Sequence, residues 1–192
     1  KLLVVCHKAQ TTPNVKALGR ESGLGGGPYD RVLCDVPCSG DGTLRKDIKV
    51  WSSWTPLFGL KIHRLQLQLA LRGLSLLVNN GVMAYSTCSF NPIEDEAVVS
   101  AILSRCQGSV ELIDASRRLP DVKRGAGFTT WKVCDEDLNE YASYQDSQAD
   151  SVPPTTRRLF QPSMWPPAPG PHSDLLKKCL RLYPQDQDTG GF

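Results

Sequence analysis

Two strand candidates, Tyr29–Cys34 and Val82–Tyr85, each pass without a linker into a polar turn that carries a cysteine. The first continues as DVPCSGDGT, with Asp35 and Cys38; the second continues as STCSFNPIEDE, with Cys88. Between them the sequence calls for a long helix. Thr55 is a candidate N-cap, Pro56 suits the first helical position, and Asn79-Asn80-Gly81 reads as the stop. Leu60, Leu67, Leu71, Leu74 and Val78 form its apolar stripe, opposite Lys61, Arg64, Gln68 and Arg72. Strand, helix and strand in this order specify an α/β fold with a largely parallel sheet. Ligands bind such sheets at the carboxyl ends of the strands. If the two strands are neighbours, Cys38, Cys88 and Asp35 meet in one crevice there. On pattern alone these two cysteines read equally as small apolar residues and as reactive thiols. Backbone N–H groups in their turns would lower a thiol pKa and favour the second reading.

Further elements are expected around this unit. Leu2–Val5 reads as a buried strand ending near Cys6-His7, and the five glycines of Gly19–Gly27 as a surface loop. Asn91, Pro92 and Glu94 have the spacing of a capping box ahead of a helix whose buried face is Ile93, Ala97, Val98, Ala101 and Ile102. Val110–Ile113 is a fourth strand candidate. Residues 1–113 then form the α/β core. Residues 114–192, which hold nine of the fourteen prolines, form an irregular extension packed on it. Phe128–Cys134 carries a weak strand signal there, and Leu175–Leu182 reads as a short basic amphipathic helix.

Composition excludes more than it identifies. Lys and Arg number 22 against 20 Asp and Glu, a net charge of +2, so no bulk basicity announces a nucleic-acid partner. Local clusters count for more than the sum. Arg45 and Lys46 open one directly after the first turn, and Arg157-Arg158 make a second. Seven cysteines without a CxxC pair, and three scattered histidines, fit free thiols in a reducing compartment and no metal. Apolar stretches fall short of the roughly 20 residues of a spanning helix, so no membrane partner is expected.

DVPCSGDGT followed by YSTCSFNPIEDEA resembles the motif pair of the Nop/Sun family of RNA (cytosine-5) methyltransferases, in its transfer-RNA branch. The likeness extends through Trp51, His63-Arg64-Leu65-Gln66, Trp131-Lys132-Val133, the Pro162–Pro167 segment and the closing Asp188-Thr189-Gly190-Gly191-Phe192. It implies a class I, Rossmann-like fold using S-adenosylmethionine, with RNA, in particular tRNA, as partner and a nuclear or nucleolar address. It implies that Cys88 adds to carbon 6 of cytosine and that Cys38 promotes enzyme release. Asp35 would lie at the cofactor and the target base. By their position after the turn, Arg45 and Lys46 read equally as phosphate contacts and as a solvated charged face, with Trp51, Trp54 and Phe90 as stacking candidates set against core packing.

Three departures qualify the resemblance. The family's glycine-containing cofactor loop and the acidic residue after its second strand are missing, which implies a fold lacking its first strands. His7-Lys8-Ala9 stands where relatives commonly read His-Asp-Ala. The chain also stops where relatives continue to a final strand. The alternative is an inert piece or degenerate copy that at most binds RNA or a partner; a thiol-redox or zinc module ranks behind both.

Overall fold

The computed structural model describes residues 4–13 and 27–192. Its centre is a pair of parallel strands, β1 (Tyr29–Asp35) and β2 (Leu77–Ser86). Two helices separate them in sequence: the short α1 (Ile48–Ser53) and the 20-residue α2 (Pro56–Ser75). After β2 comes α3 (Glu96–Cys106). This is the α/β order expected from the sequence, with a helix carrying the chain from one parallel strand to the next.

Helix α2 begins as anticipated, with Thr55 extended ahead of Pro56, although the Thr55 side chain makes no capping bond. Its end differs. The helix stops at Ser75, where the Leu76 N–H bonds to the carbonyls of Gly73 and Leu74. Asn79-Asn80-Gly81 lies inside β2 instead of ending α2. Tyr29 pairs with Leu77 and Arg31 with Val82, so the extra β2 residues bulge out of the ladder. Asn80 takes φ 63°, a conformation Asn tolerates better than most residues. Val78 accordingly belongs to β2 and not to the helix stripe. The remaining stripe is core: Leu67 and Ala70 pack with Val98, Ala101 and Ile102 of α3, flanked by Leu71, Leu74, Met83 and Val110. Helix α2 approaches the sheet closely at Gly73. A Cβ there would meet the Met83 sulfur at 2.8 Å and Val32 Cγ1 at 3.5 Å.

Other expectations change. Leu2 and Leu3 lie outside the described residues, and Val4 and Val5 form no strand and are exposed. Of Gly19–Gly27 only Gly27 is described; its N–H bonds to the Leu77 carbonyl. Val110–Ile113 is irregular chain, because no strand among the described residues pairs with it; the Leu112 carbonyl takes the Lys178 ammonium instead. Among the described residues the central sheet therefore has two strands, and Leu33, on the face away from α2, is 75% exposed.

The following segment forms two small antiparallel ladders. β3 (Gly125–Ala126) pairs with β6 (Leu180–Arg181), and β4 (Val133–Cys134) pairs with β5 (Glu140–Tyr141). Neither Phe128–Cys134 as a whole strand nor Leu175–Leu182 as a whole helix survives. The second is a helical turn ending at Lys178 and then strand β6. A second core joins this segment to the α/β unit: Val133, Phe160 and Met164 pack on Leu60 and Ile93, walled by Trp131, Tyr141 and Trp165. Edge-on and tilted ring contacts of Phe160 with Tyr141 and Trp165, at 5.0 and 5.6 Å, add directional packing. No helix among the described residues is long and apolar enough to cross a membrane.

Candidate active site

Parallel pairing in the register Asp35 to Ser86 brings both cysteine turns off the same end of the sheet. The Val36 N–H extends the ladder by one bond to the Ser86 carbonyl, at 3.1 Å. Two residues later the chains reach Cys38 and Cys88, whose sulfurs stand 3.2 Å apart. The two thiols thus meet, as expected from the sequence. Asp35, the last β1 residue, is exposed, with the Ser86 hydroxyl donating to Oδ1 at 2.8 Å.

Each turn is braced by the other. The Gly42 N–H donates to the Cys88 carbonyl at 2.9 Å and the Phe90 N–H to Asp41 Oδ1 at 2.8 Å. Gly42 has to be glycine: a Cβ would stand 2.8 Å from the carbonyl oxygens of Cys88 and Gly191. The closing segment completes the brace through the Gly191 N–H, which donates to the Gly42 carbonyl at 2.9 Å.

Beneath the sulfurs lies Glu94, fully buried. Its Oε2 accepts from the Ser39 N–H at 2.8 Å and from Gln66 Nε2 at 3.1 Å. Its Oε1 accepts from the hydroxyls of Ser39 and Ser89, at 2.5 and 2.9 Å. Ser39 follows Cys38 and Ser89 follows Cys88, so one carboxylate ties both cysteine turns. The capping box expected at Asn91 does not form: residues 92–95 are a turn, and α3 starts only at Glu96 with Asp95 in the N-cap position. Asn91 Oδ1 accepts from the Ile93 N–H at 3.1 Å, but Glu94 turns into the site instead of reaching back. Four donors outbid the single backbone N–H that a cap would have offered.

Helix α2 supports the same network. Gln66 Nε2 also donates to the Pro37 carbonyl at 3.0 Å, which fixes its amide orientation between two acceptors. One turn earlier, buried His63 bonds the Ile93 carbonyl through Nδ1 at 2.6 Å and the Ser163 hydroxyl through Nε2 at 2.8 Å. A carbonyl can only accept, so Nδ1 carries the proton and Nε2 accepts from Ser163. Burial lowers the His63 pKa, in keeping with a neutral ring. The spacing of three residues puts His63 and Gln66 on one helix face, each holding a different cysteine turn.

A second buried ionic group stands behind Cys88. Arg181 meets Glu96 through Nε and Nη2, with side chains 4% and 1% exposed. It also donates to the Phe90 carbonyl at 3.0 Å and lies 4.1 Å over the Phe128 ring. Asp95, 3.5 Å from the same guanidinium, accepts from the Thr87 hydroxyl at 2.7 Å. Burial, outweighing the Thr87 bond, raises the Asp95 pKa to about 8.

The thiols depart from expectation in one respect. The anticipated backbone donors exist, since the N–H groups of Cys88 and Gly40 both act on Cys38. Burial, followed by the hydrogen bond to Cys88, nevertheless outweighs them and pushes the Cys38 thiol up to about 12. Cys38 is therefore held as a thiol, in hydrogen-bonding contact with the Cys88 sulfur.

The basic cluster is at the surface. Arg45 pairs with Asp188, and Lys46 is exposed beside Gly190. Trp51 is 76% exposed, Trp54 is partly buried, and Phe90 packs against Tyr183 with centroids 5.7 Å apart. Among the described residues no group of three or more His, Cys, Asp and Glu side chains is placed to hold a metal. Sequence reasoning missed Ser39, Gln66, Ser89, Glu94 and Arg181 as parts of the site.

A family model described as 16S rRNA methyltransferase RsmB/F matches residues 7–151. The chain belongs to the RsmB/F methyltransferase family. Its α/β unit is accordingly part of a Rossmann-like methyltransferase fold. The multisite-specific tRNA:(cytosine-C(5))-methyltransferase trm4b of Schizosaccharomyces pombe is 44% identical over 100% of this chain and 28% of the relative. The multisite-specific tRNA:(cytosine-C(5))-methyltransferase of Saccharomyces cerevisiae is 41% identical over 100% of this chain and 26% of the relative. Ribosomal RNA small subunit methyltransferase F of Klebsiella pneumoniae is 38% identical over 44% of this chain and 18% of the relative. The chain spans about a quarter of the length of the two tRNA-named relatives.

Methyltransferases of this family take their methyl group from S-adenosylmethionine. The residues present fit that cofactor at its cationic end. Asp35 is an exposed carboxylate at the sheet edge, and the Ser86 hydroxyl bonds only one of its oxygens among the described residues. An acceptor with spare capacity suits an ammonium.

Proposed function

We propose that this chain carries the catalytic cysteines of an S-adenosylmethionine-dependent RNA (cytosine-5) methyltransferase acting on tRNA. The observation that carries the reading is the contact of two thiols at the carboxyl ends of adjacent parallel strands, 3.2 Å apart. Similarity over the whole chain to tRNA-named relatives, against partial coverage by the rRNA-named one, favours tRNA as substrate.

Carbon 5 of cytosine is a poor nucleophile in the aromatic ring. A sulfur adding at carbon 6 breaks the aromaticity and leaves an enamine whose carbon 5 can attack an electrophile. Cys88 is assigned that addition. Cys38, held as a thiol by burial, donates its S–H to Cys88 and so stabilises negative charge on the attacking sulfur without competing for the ring. S-adenosylmethionine, when bound, supplies the electrophilic methyl group. Loss of the carbon-5 proton to water then restores the carbon 5–carbon 6 double bond and expels the Cys88 sulfur as a thiolate, a release that Cys38 assists. Asp35 would hold the cofactor ammonium or the exocyclic amine of the base. Lys46 and Arg45 would contact phosphate. The exposed Arg45–Asp188 pair is worth only about 0–1 kcal/mol, so an RNA phosphate can displace the carboxylate.

The test is made in the full-length protein that contains this segment, incubated with tRNA. Cys38→Ala should accumulate a covalent protein–RNA adduct that survives denaturing electrophoresis, and Cys88→Ala should form none. Adduct formation by Cys88→Ala would show that the roles of the two sulfurs are wrongly assigned.

A further inference from the structure

Neither sulfur of the pair can take a cytosine carbon while it is bonded to the other. Three observations bear on that bond. The sulfurs already touch, at 3.2 Å, and this is the one thiol–thiol contact among the described residues. A disulfide requires about 2.05 Å, so closing it takes a movement of little more than 1 Å. Glu94 grips Ser39 and Ser89, the residues next to each cysteine, so the two turns are held in place before any bond forms. Finally, Gly40 at φ 76° follows the first turn with nothing but the Thr43 hydroxyl, at 3.7 Å, near where its Cβ would be. The backbone two residues beyond Cys38 is therefore open on that side.

We propose that Cys38 and Cys88 form a reversible disulfide under two-electron oxidation by a hydroperoxide, locking the site in an inactive state. That it is a lock rests on the function proposed above; that the bond forms does not. In the first step the Cys88 thiolate attacks one oxygen of the peroxide, giving a sulfenic acid and hydroxide. In the second the Cys38 sulfur attacks the sulfenyl sulfur. The departing hydroxide leaves as water with the Cys38 proton. The sum is two thiols and one hydrogen peroxide to one disulfide and two waters, and a dithiol reverses it by exchange. Burial slows the second step by keeping Cys38 protonated, but contact with the attacked sulfur offsets this by removing the search for a partner.

The full-length reduced protein is treated with hydrogen peroxide, quenched with N-ethylmaleimide and digested with trypsin without reduction. Tryptic cleavage yields residues 32–45, with Cys34 and Cys38, and residues 73–105, with Cys88. The expected product is these two peptides linked and released by dithiothreitol. The link should persist in Cys34→Ala and vanish in Cys38→Ala. Cys88 recovered only as sulfinic acid or as its maleimide adduct, or a link that persists in Cys38→Ala, overturns the proposal. Methyl transfer to tRNA, assayed in parallel, should fall in proportion to the linked fraction and return with dithiothreitol. A link formed without that loss leaves the disulfide standing and refutes the catalytic reading of the pair.

Discussion

Replacing Glu94 separates a carboxylate that organises the site from one that merely fills space. In Glu94→Ala four donors lose their acceptor. The two serine hydroxyls are 3.2 Å apart and can satisfy one another. That leaves the Ser39 N–H and one proton of Gln66 Nε2 unpaired in a buried site. An unsatisfied buried donor costs about 1–3 kcal/mol, so the expected loss is roughly 2–6 kcal/mol, with about 3 the working value once water enters the vacated space. Glu94→Gln behaves differently. Its carbonyl oxygen takes the place of Oε2, facing the two obligate donors, and its NH2 faces the hydroxyls, which can turn round and accept. Only the charge-assisted part of the bonds is lost, about 1 kcal/mol. Urea unfolding at pH 7, followed by tryptophan fluorescence, measures both. Equal losses for Ala and Gln, or an Ala loss below about 1 kcal/mol, would refute the four-donor account.

Two further outcomes follow from the ionic group behind Cys88. Arg181→Met leaves the Glu96 carboxylate buried without its partner and should cost about 3–5 kcal/mol, read as a large fall in Tm. Lys at position 181 should not restore it, because an ammonium cannot match the fork that meets Glu96 and the Phe90 carbonyl together; full rescue by Lys would contradict this. The Asp95 pKa is raised to about 8 in the folded protein against about 3.9 unfolded. The folded state then holds a proton that the unfolded state has lost, so stability falls as pH rises from about 4 to 8, by at most about 1.4 kcal/mol per pH unit. Asp95→Asn should remove that component, and unfolding curves that stay parallel across this range would show that it is absent.

What the sequence made legible is what local pattern controls. Strand β1, the central part of β2, the start of α2 and the convergence of Cys38 with Cys88 rest on short-range hydrophobicity and on strand order. The end of α2 was misread because Asn79-Asn80-Gly81 is good turn chemistry in a helix stop and in a strand bulge alike. Val110–Ile113 has strand composition but finds no strand edge, and composition says nothing of edges. Glu94 was misassigned for a sharper reason. The capping-box spacing is satisfied locally, yet Ser39 lies 55 residues away, and tertiary donors outnumber the local one. Arg181 stands 85 residues from Glu96, with only an amphipathic signal around it. Long-range partnership of this kind leaves no trace in spacing.

The register of β1 on β2 also limits how genes of this kind can change length. Cys38 lies three residues beyond Asp35 and Cys88 two beyond Ser86, and Asp35 and Ser86 are opposed in the ladder. One residue inserted or deleted between either ladder end and its cysteine would slide one sulfur past the other by about 3.3 Å, the rise of a strand residue. The chain between the two turns is under no such restriction where it crosses the exposed bulge at Asn79-Asn80, because added residues there enlarge a loop without moving either sulfur. Length variation is therefore tolerated between the motifs and forbidden within them.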